Sequence, residues 1–163
     1  MPGWLILIAS HMLVFSVGFA GGIYLLPILT APPAPTEAAL QRSASEAIYV
    51  GHLTRDLKGS DLLHWGEGEI RVAPDRIAHL GRLSPGPDYK LYLAPRYVDT
   101  KEAFLEIKGS SVRLGNVSTF KGFIVDVPAG VDVNDYSAVV IWCEAFNQFI
   151  SAAEYQPPRP VQK

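Results

Sequence analysis

No Asp, Glu, Lys or Arg occurs before Glu37, so all 14 basic and 16 acidic side chains fall in the later part of this 163-residue chain. Within the charge-free stretch, Gly3 to Leu29 is almost wholly apolar. That is longer than the roughly 20 residues a helix needs to cross a bilayer. A 20-residue helix rises about 30 Å, which sets Trp4 and Tyr24 at the two membrane interfaces. Pro27, followed by Ala31-Pro32-Pro33-Ala34-Pro35, is expected to end the helix. A cleaved signal peptide is the rival reading, with Gly18-Phe19-Ala20 as a small-x-small site. An n-region without Lys or Arg, and an apolar run about twice the usual h-region, favour a retained anchor over residues 1–29. Arg42 is the only Lys or Arg near either end, so the positive-inside rule barely orients the span.

Gly18 and Gly22 form a GxxxG pair, and His11, Phe15, Gly18 and Gly22 share one helical face. Small residues let a second helix approach, and a histidine at membrane depth favours a protein neighbour over lipid. Chance is the alternative, because Gly is common in such helices and His11 lies only a few residues from the interface. Residues 30–46 form a Pro/Ala-rich linker: a proline-stiffened spacer to Pro35, then a short helix or loose stalk from Glu37 to Glu46.

From residue 47 to 155 the pattern changes to short strands punctuated by Gly, Pro and Asp. Candidates are Ile48–Leu53, Gly68–Val72, Arg76–Leu80, Tyr89–Leu93, Val112–Asn116, Phe120–Val127, Ala138–Cys143 and Phe146–Ala153. Eight strands about ten residues apart predict an all-β fold, an antiparallel β-sandwich or barrel. Asp99 to Lys108 is the exception. Asp99 with Glu102 reads as a capping box, and Phe104 with Ile107 as the apolar face of a short helix. Residues 156–163 are a C-terminal tail.

The near-neutral charge of -2 and the lack of a basic patch argue against nucleic acid. The single cysteine, Cys143, excludes an internal disulfide, and no Cys/His cluster could hold zinc. There is no GxGxxG, P-loop, HExxH, GxSxG or CxxCH motif, so no standard enzyme signature is present. Two segments stand out. In Gly59-Ser60-Asp61-Leu62-Leu63-His64-Trp65-Gly66-Glu67-Gly68, His64 lies between glycines that let backbone approach a ligand, and it could ligate a metal or haem iron. The plainer reading is a turn in which His64 caps backbone groups and Trp65 packs on the core. In Tyr136 to Phe146, both faces are apolar as far as Trp142, which marks an interior strand. Cys143 shares its side with Val139 and Ile141, and so reads as a buried, inert thiol, with Glu144 adding a negative charge that disfavours the thiolate.

Three pieces in order, His64-Trp65-Gly66-x-Gly68, "SPGPDYKLYL" from Ser84 to Leu93 and "YSAVVIWCEAFNQFISAAEY" from Tyr136 to Tyr155, resemble the DM-thirteen, or electron-transfer DM, domain. The resemblance covers about Ile48 to Tyr155. It implies a fold similar to the DOMON and Ig-like β-sandwiches and a proposed role in electron transfer at the cell surface. The family's marker cysteine maps to Cys143, a redox thiol or haem ligand by that resemblance, with haem as the possible cofactor and His64 as a second candidate ligand. The anchor is similar to that of bacterial members, which implies an inner-membrane protein with a periplasmic domain. A b-type cytochrome or other membrane-complex subunit is then the expected partner. Two functions stay open: a redox module using Cys143, and a non-catalytic accessory module docked through its helix and sandwich.

Overall fold

The computed structural model describes residues 2–157; most of the expected tail, 158–163, lies outside the described residues. Helix α1 runs from Gly3 to Thr30. The hydroxyls of Ser10, Ser16 and Thr30 each donate to a carbonyl three or four residues back at 2.8 Å, which satisfies their polarity within the helix. Pro27 lies inside α1 and does not end it. The stop comes at Ala31, whose extended ψ of 135° is the conformation that Pro32 imposes on the residue before it.

Helix α2, Glu37–Ser45, begins where Thr36 accepts a hydrogen bond from the backbone N–H of Ala39. Of the two forms open to this segment it is therefore the helix, and it is not loose. Leu40 and Ser43 are buried where α2 lies on β2, β3 and β6 of the first sheet.

The domain is built from eight strands: β1 Tyr49–Leu53, β2 Gly66–Val72, β3 Arg76–Leu83, β4 Tyr89–Ala94, β5 Val112–Val117, β6 Phe123–Asp126, β7 Ala138–Cys143 and β8 Gln148–Glu154. They form two four-stranded antiparallel sheets, ordered β1-β2-β3-β6 and β5-β4-β7-β8. The mostly-β sandwich expected from the spacing of turn residues is the fold. Between the sheets lie Ile70, Ile77, Leu91, Val139, Ile141 and Ile150. A second core covers the outer face of the second sheet, where Tyr92, Val140, Trp142 and Phe149 meet Phe104 of helix α3, Lys101–Ile107. Strand β7 is thus buried on both faces, as its unbroken apolar run predicted. The cap of α3 is Thr100, whose hydroxyl accepts from Ala103 N–H at 3.2 Å. Asp99, the expected cap, instead pairs with Lys58 at 3.1 Å.

Strand registers place Leu53, Leu83, Val117 and Cys143 at one end of the sandwich. The connections 54–65, 84–88, 118–122 and 144–147 therefore gather at that end. The C-terminal half of α1 lies beside them: Tyr24 and Ile28 wall one cavity together with Trp65, Pro85 and Phe120.

Candidate functional site

Cys143 is the last residue of β7 and is 2% exposed. Strand alternation turns it toward the inter-sheet core with Val139 and Ile141, as expected. Its partner across the β4–β7 ladder is Tyr89, a residue the sequence reading passed over. Directly opposed side chains on one face of an antiparallel pair lie about 5 Å apart at Cβ. The Tyr89 hydroxyl donates to the Pro85 carbonyl at 3.1 Å. Gly86 lets the Tyr89 ring lie flat against the turn, since a Cβ there would stand 2.3 Å from the ring.

The β1–β2 connection brings His64 to the same place. Asp61 Oδ1 accepts from the backbone N–H groups of Leu63 and His64 at 2.7 and 2.8 Å, an Asx turn. The Asp61 carboxylate also accepts from the Nδ1–H of the His64 ring at 2.8 Å. His64 therefore bonds a carboxylate and does not cap backbone. Fixing Nδ1–H in this way leaves Nε2 as the basic nitrogen, the arrangement that orients imidazoles as ligands or proton acceptors. Burial raises the pKa of Asp61, but the bond from His64 and the two backbone donors outweigh it and hold the carboxyl below its ordinary range. Trp65 does not enter either core. It is half-buried beneath the Arg55 guanidinium, 3.4 Å above its ring, and Arg55 is held in turn by two bonds to Glu67.

Cys143, His64 and Tyr89 line one cleft of about 280 Å³, closed by Leu63, Phe146 and Pro87 on the domain side and by Ala20, Ile23 and Tyr24 of α1. Burial pushes the Cys143 thiol up from its ordinary range, and the charge of Asp88 adds to this. Backbone groups of Phe146, Asp88 and Ala145 offset part of the shift. Glu144, expected to supply the negative charge, is engaged elsewhere. It accepts from Lys108 at 2.7 Å and from the Tyr92 hydroxyl. The cleft holds a protonated thiol on one wall and, on another, an imidazole whose Nδ1–H is bonded to Asp61. Among the described residues no three His, Cys, Asp or Glu side chains converge as a metal site. Haem fits poorly: the cleft is smaller than the roughly 300–1,000 Å³ of drug-sized ligand sites, and a porphyrin is larger than most such ligands.

The helix-face residues are placed differently from His64 and Cys143. The His11 Nδ1–H donates to the Leu7 carbonyl at 2.8 Å, so its polarity is met within α1. Gly18 and Gly22 wall an apolar groove whose far side is Pro87, Ala145 and Phe146.

His79 went unnoticed in the sequence. Alternation with Ile77 turns it into the inter-sheet core, where it is fully buried, its ring 5.0 Å from Phe123. Nε2–H donates to the Glu67 carbonyl at 3.0 Å, and Nδ1 has no partner among the described residues. Burial lowers its pKa to about 4, against the smaller opposing effect of the Glu67 bond. The alternation was legible; a histidine simply is not expected in an apolar row.

A family model described as electron transfer DM13 matches residues 57–155, well over half of the chain. The chain belongs to the electron transfer DM13 family. The match ends at Tyr155 and starts eight residues after the first residue of β1, so it takes in the whole second sheet and the cleft segments 61–65, 84–88 and 143–146. No curated protein and no solved structure matches the chain. Outside the DM13 match stands α1, 28 residues long, a helix long and apolar enough to cross a membrane.

Proposed function

We propose that this DM13 protein is a membrane-tethered electron-transfer module, held by α1 in a bacterial inner membrane with its domain in the periplasm, and that Cys143 is its redox group. One observation carries the reading: Cys143 from the end of β7 and His64 from the β1–β2 connection line a single cleft with Tyr89 at the end of the sandwich nearest α1. Asp61 fixes the His64 ring so that Nε2 is free to take the thiol proton when the cleft opens. The thiolate, whose charge the backbone donors of the β7–β8 turn stabilise, then gives one electron to the partner's acceptor and becomes a thiyl radical while the proton stays on His64; the reverse transfer restores the thiol. Partners of the expected kind, a b-type cytochrome or another membrane-complex subunit, would supply the acceptor.

Voltammetry of the full-length protein in a supported bilayer tests this. A redox wave is expected for the wild type and should vanish in Cys143→Ser. The same preparation's absorption spectrum should lack a Soret band; a Soret band would return haem to the site.

A second reading, a non-catalytic accessory module, is favoured by the 2% exposure of Cys143 and by the burial that keeps it protonated. Identical voltammograms for wild type and Cys143→Ser would select it.

A further inference from the structure

At 1.5 Å per residue, the 28 residues of α1 rise about 42 Å, roughly 12 Å more than the hydrocarbon core of a bilayer. With Trp4 and Tyr24 at the two interfaces, Pro27 to Thr30 stand in the headgroup layer. The connections gathered at the end of the sandwich reach α1 at this depth and below it. Phe146 shares a groove with Gly18, Gly22 and Leu26, and Leu63 shares the Cys143 cleft with Ala20 and Tyr24.

The side chains at this end are those of a membrane surface. Leu62 at 94%, Leu63 at 57% and Phe146 at 52% are the three most exposed large apolar side chains among the described residues after α1. They come from two separate connections. Exposed apolar side chains gathered on one side of a domain mark an interaction site. Of the nearby carboxylates, Glu67 is paired with Arg55 and Asp88 with Lys90, and Asp61 accepts a hydrogen bond from the His64 ring. Arg82 and Lys121 line the cavity beside Tyr24 and Ile28, and neither forms a salt bridge among the described residues.

We propose that this end of the sandwich is a lipid-binding face: Leu62, Leu63 and Phe146 enter the headgroup–acyl boundary of the bilayer that α1 crosses, and Arg82 and Lys121 meet lipid phosphate. The proposal rests on α1 being a retained span. It commits to lipid because the same chain's own membrane helix forms the opposite wall of both cavities. Apolar tips with basic side chains at the same end of a domain are the composition that holds peripheral elements at an anionic interface. The consequence for the cleft is that Cys143 opens toward the interface, and reactants reach it from the membrane surface and not from bulk water.

The test uses the full chain in nanodiscs of phosphatidylcholine with a minority of phosphatidylglycerol. Single cysteines are placed at Leu62, Phe146, Ala129 or Met12 in a Cys143→Ala background and carry a nitroxide label. Collision with oxygen against a water-soluble nickel chelate reports depth. Labels at 62 and 146 are expected to favour oxygen, and the label at 129, on the opposite end of the sandwich, the chelate. Arg82→Glu with Lys121→Glu should move the 146 label toward water; no movement would remove the two cations from the face. Water-like values at 62 and 146 with a lipid-like value at 12 would overturn the docking while leaving the anchor intact. A water-like value at 12 would instead overturn the anchor, and the docking with it.

Discussion

Two buried titratable side chains dominate the chemistry at the residue scale, and each has a measurable signature. Cys143 is shielded by β7, Tyr89 and the α1 wall, and burial keeps it protonated. Labelling by a small maleimide at neutral pH should be at least about tenfold slower in the native protein than in denaturant, since the reagent needs both thiolate and access. Rapid native labelling would place the open cleft in the resting state. His79 is the second. Its folded pKa of about 4 lies below the ordinary 6.5, so the unfolded chain takes up the proton first on acidification. The contribution of neutral His79 is complete above pH 6.5 and drains away as pH falls toward 4, by roughly 3 kcal/mol at about 1.4 kcal/mol per unit. The urea midpoint of the wild type should therefore fall more steeply over that window than that of His79→Gln. Parallel curves for the two proteins would refute the assignment.

Among the elements, the β2–β3 hairpin is the one on which the cleft depends, because β2 fixes the end of the His64 connection and β3 leads into the Ser84–Asp88 turn. Gly68 faces Gly81 across this ladder. Its φ is +115°, and a Cβ would stand 2.3 Å from the Leu80 carbonyl oxygen and 2.6 Å from Gly81 Cα. Neither atom can move aside, because both are backbone. Gly68→Ala should cost more than about 2 kcal/mol, from strain at a positive φ and from the clash, read as a lowered urea midpoint at unchanged slope. An unaltered midpoint would mean that the hairpin relaxes without penalty. Below that glycine pair, Trp65 O and Ser84 N close the neck of the hairpin at 3.0 Å, so weakening it loosens the cleft wall as well.

Taken as a molecule, the protein is a sandwich whose four connections at one end meet its own apolar helix. This arrangement makes orientation the decisive whole-chain property, since the charge pattern around α1 hardly sets it. Alkaline phosphatase fused after Lys163 should be active if the domain lies in the periplasm; an inactive fusion beside an active cytoplasmic reporter at the same position would reverse the topology. The same construction asks whether α1 is retained. Recovery of a soluble fusion beginning after Ala20 would make the apolar run a cleaved signal, and the DM13 domain would then work without a tether.

The sequence by itself determined what depends on local pattern. Apolar content without charge specified α1, alternation and turn residues specified the eight strands, and the two-sided apolar run from Ala138 to Trp142 specified an interior strand with Cys143 facing inward. The motifs around His64, Ser84 and Cys143 were enough to indicate the family. Where local chemistry competed, the reading slipped by a residue or a few: Thr100 outbid Asp99 as cap, and α1 passed through Pro27 because the lost hydrogen bond lies in its last turn while Pro32 imposes the stop. Only the tertiary structure decided which segments meet. Register placed Tyr89 opposite Cys143, the antiparallel order brought the His64 connection to the same end, and the salt bridge to Lys108 drew Glu144 away from the thiol. Such pairings are set by sheet order and by packing between residues dozens of positions apart, and no short window of sequence contains them.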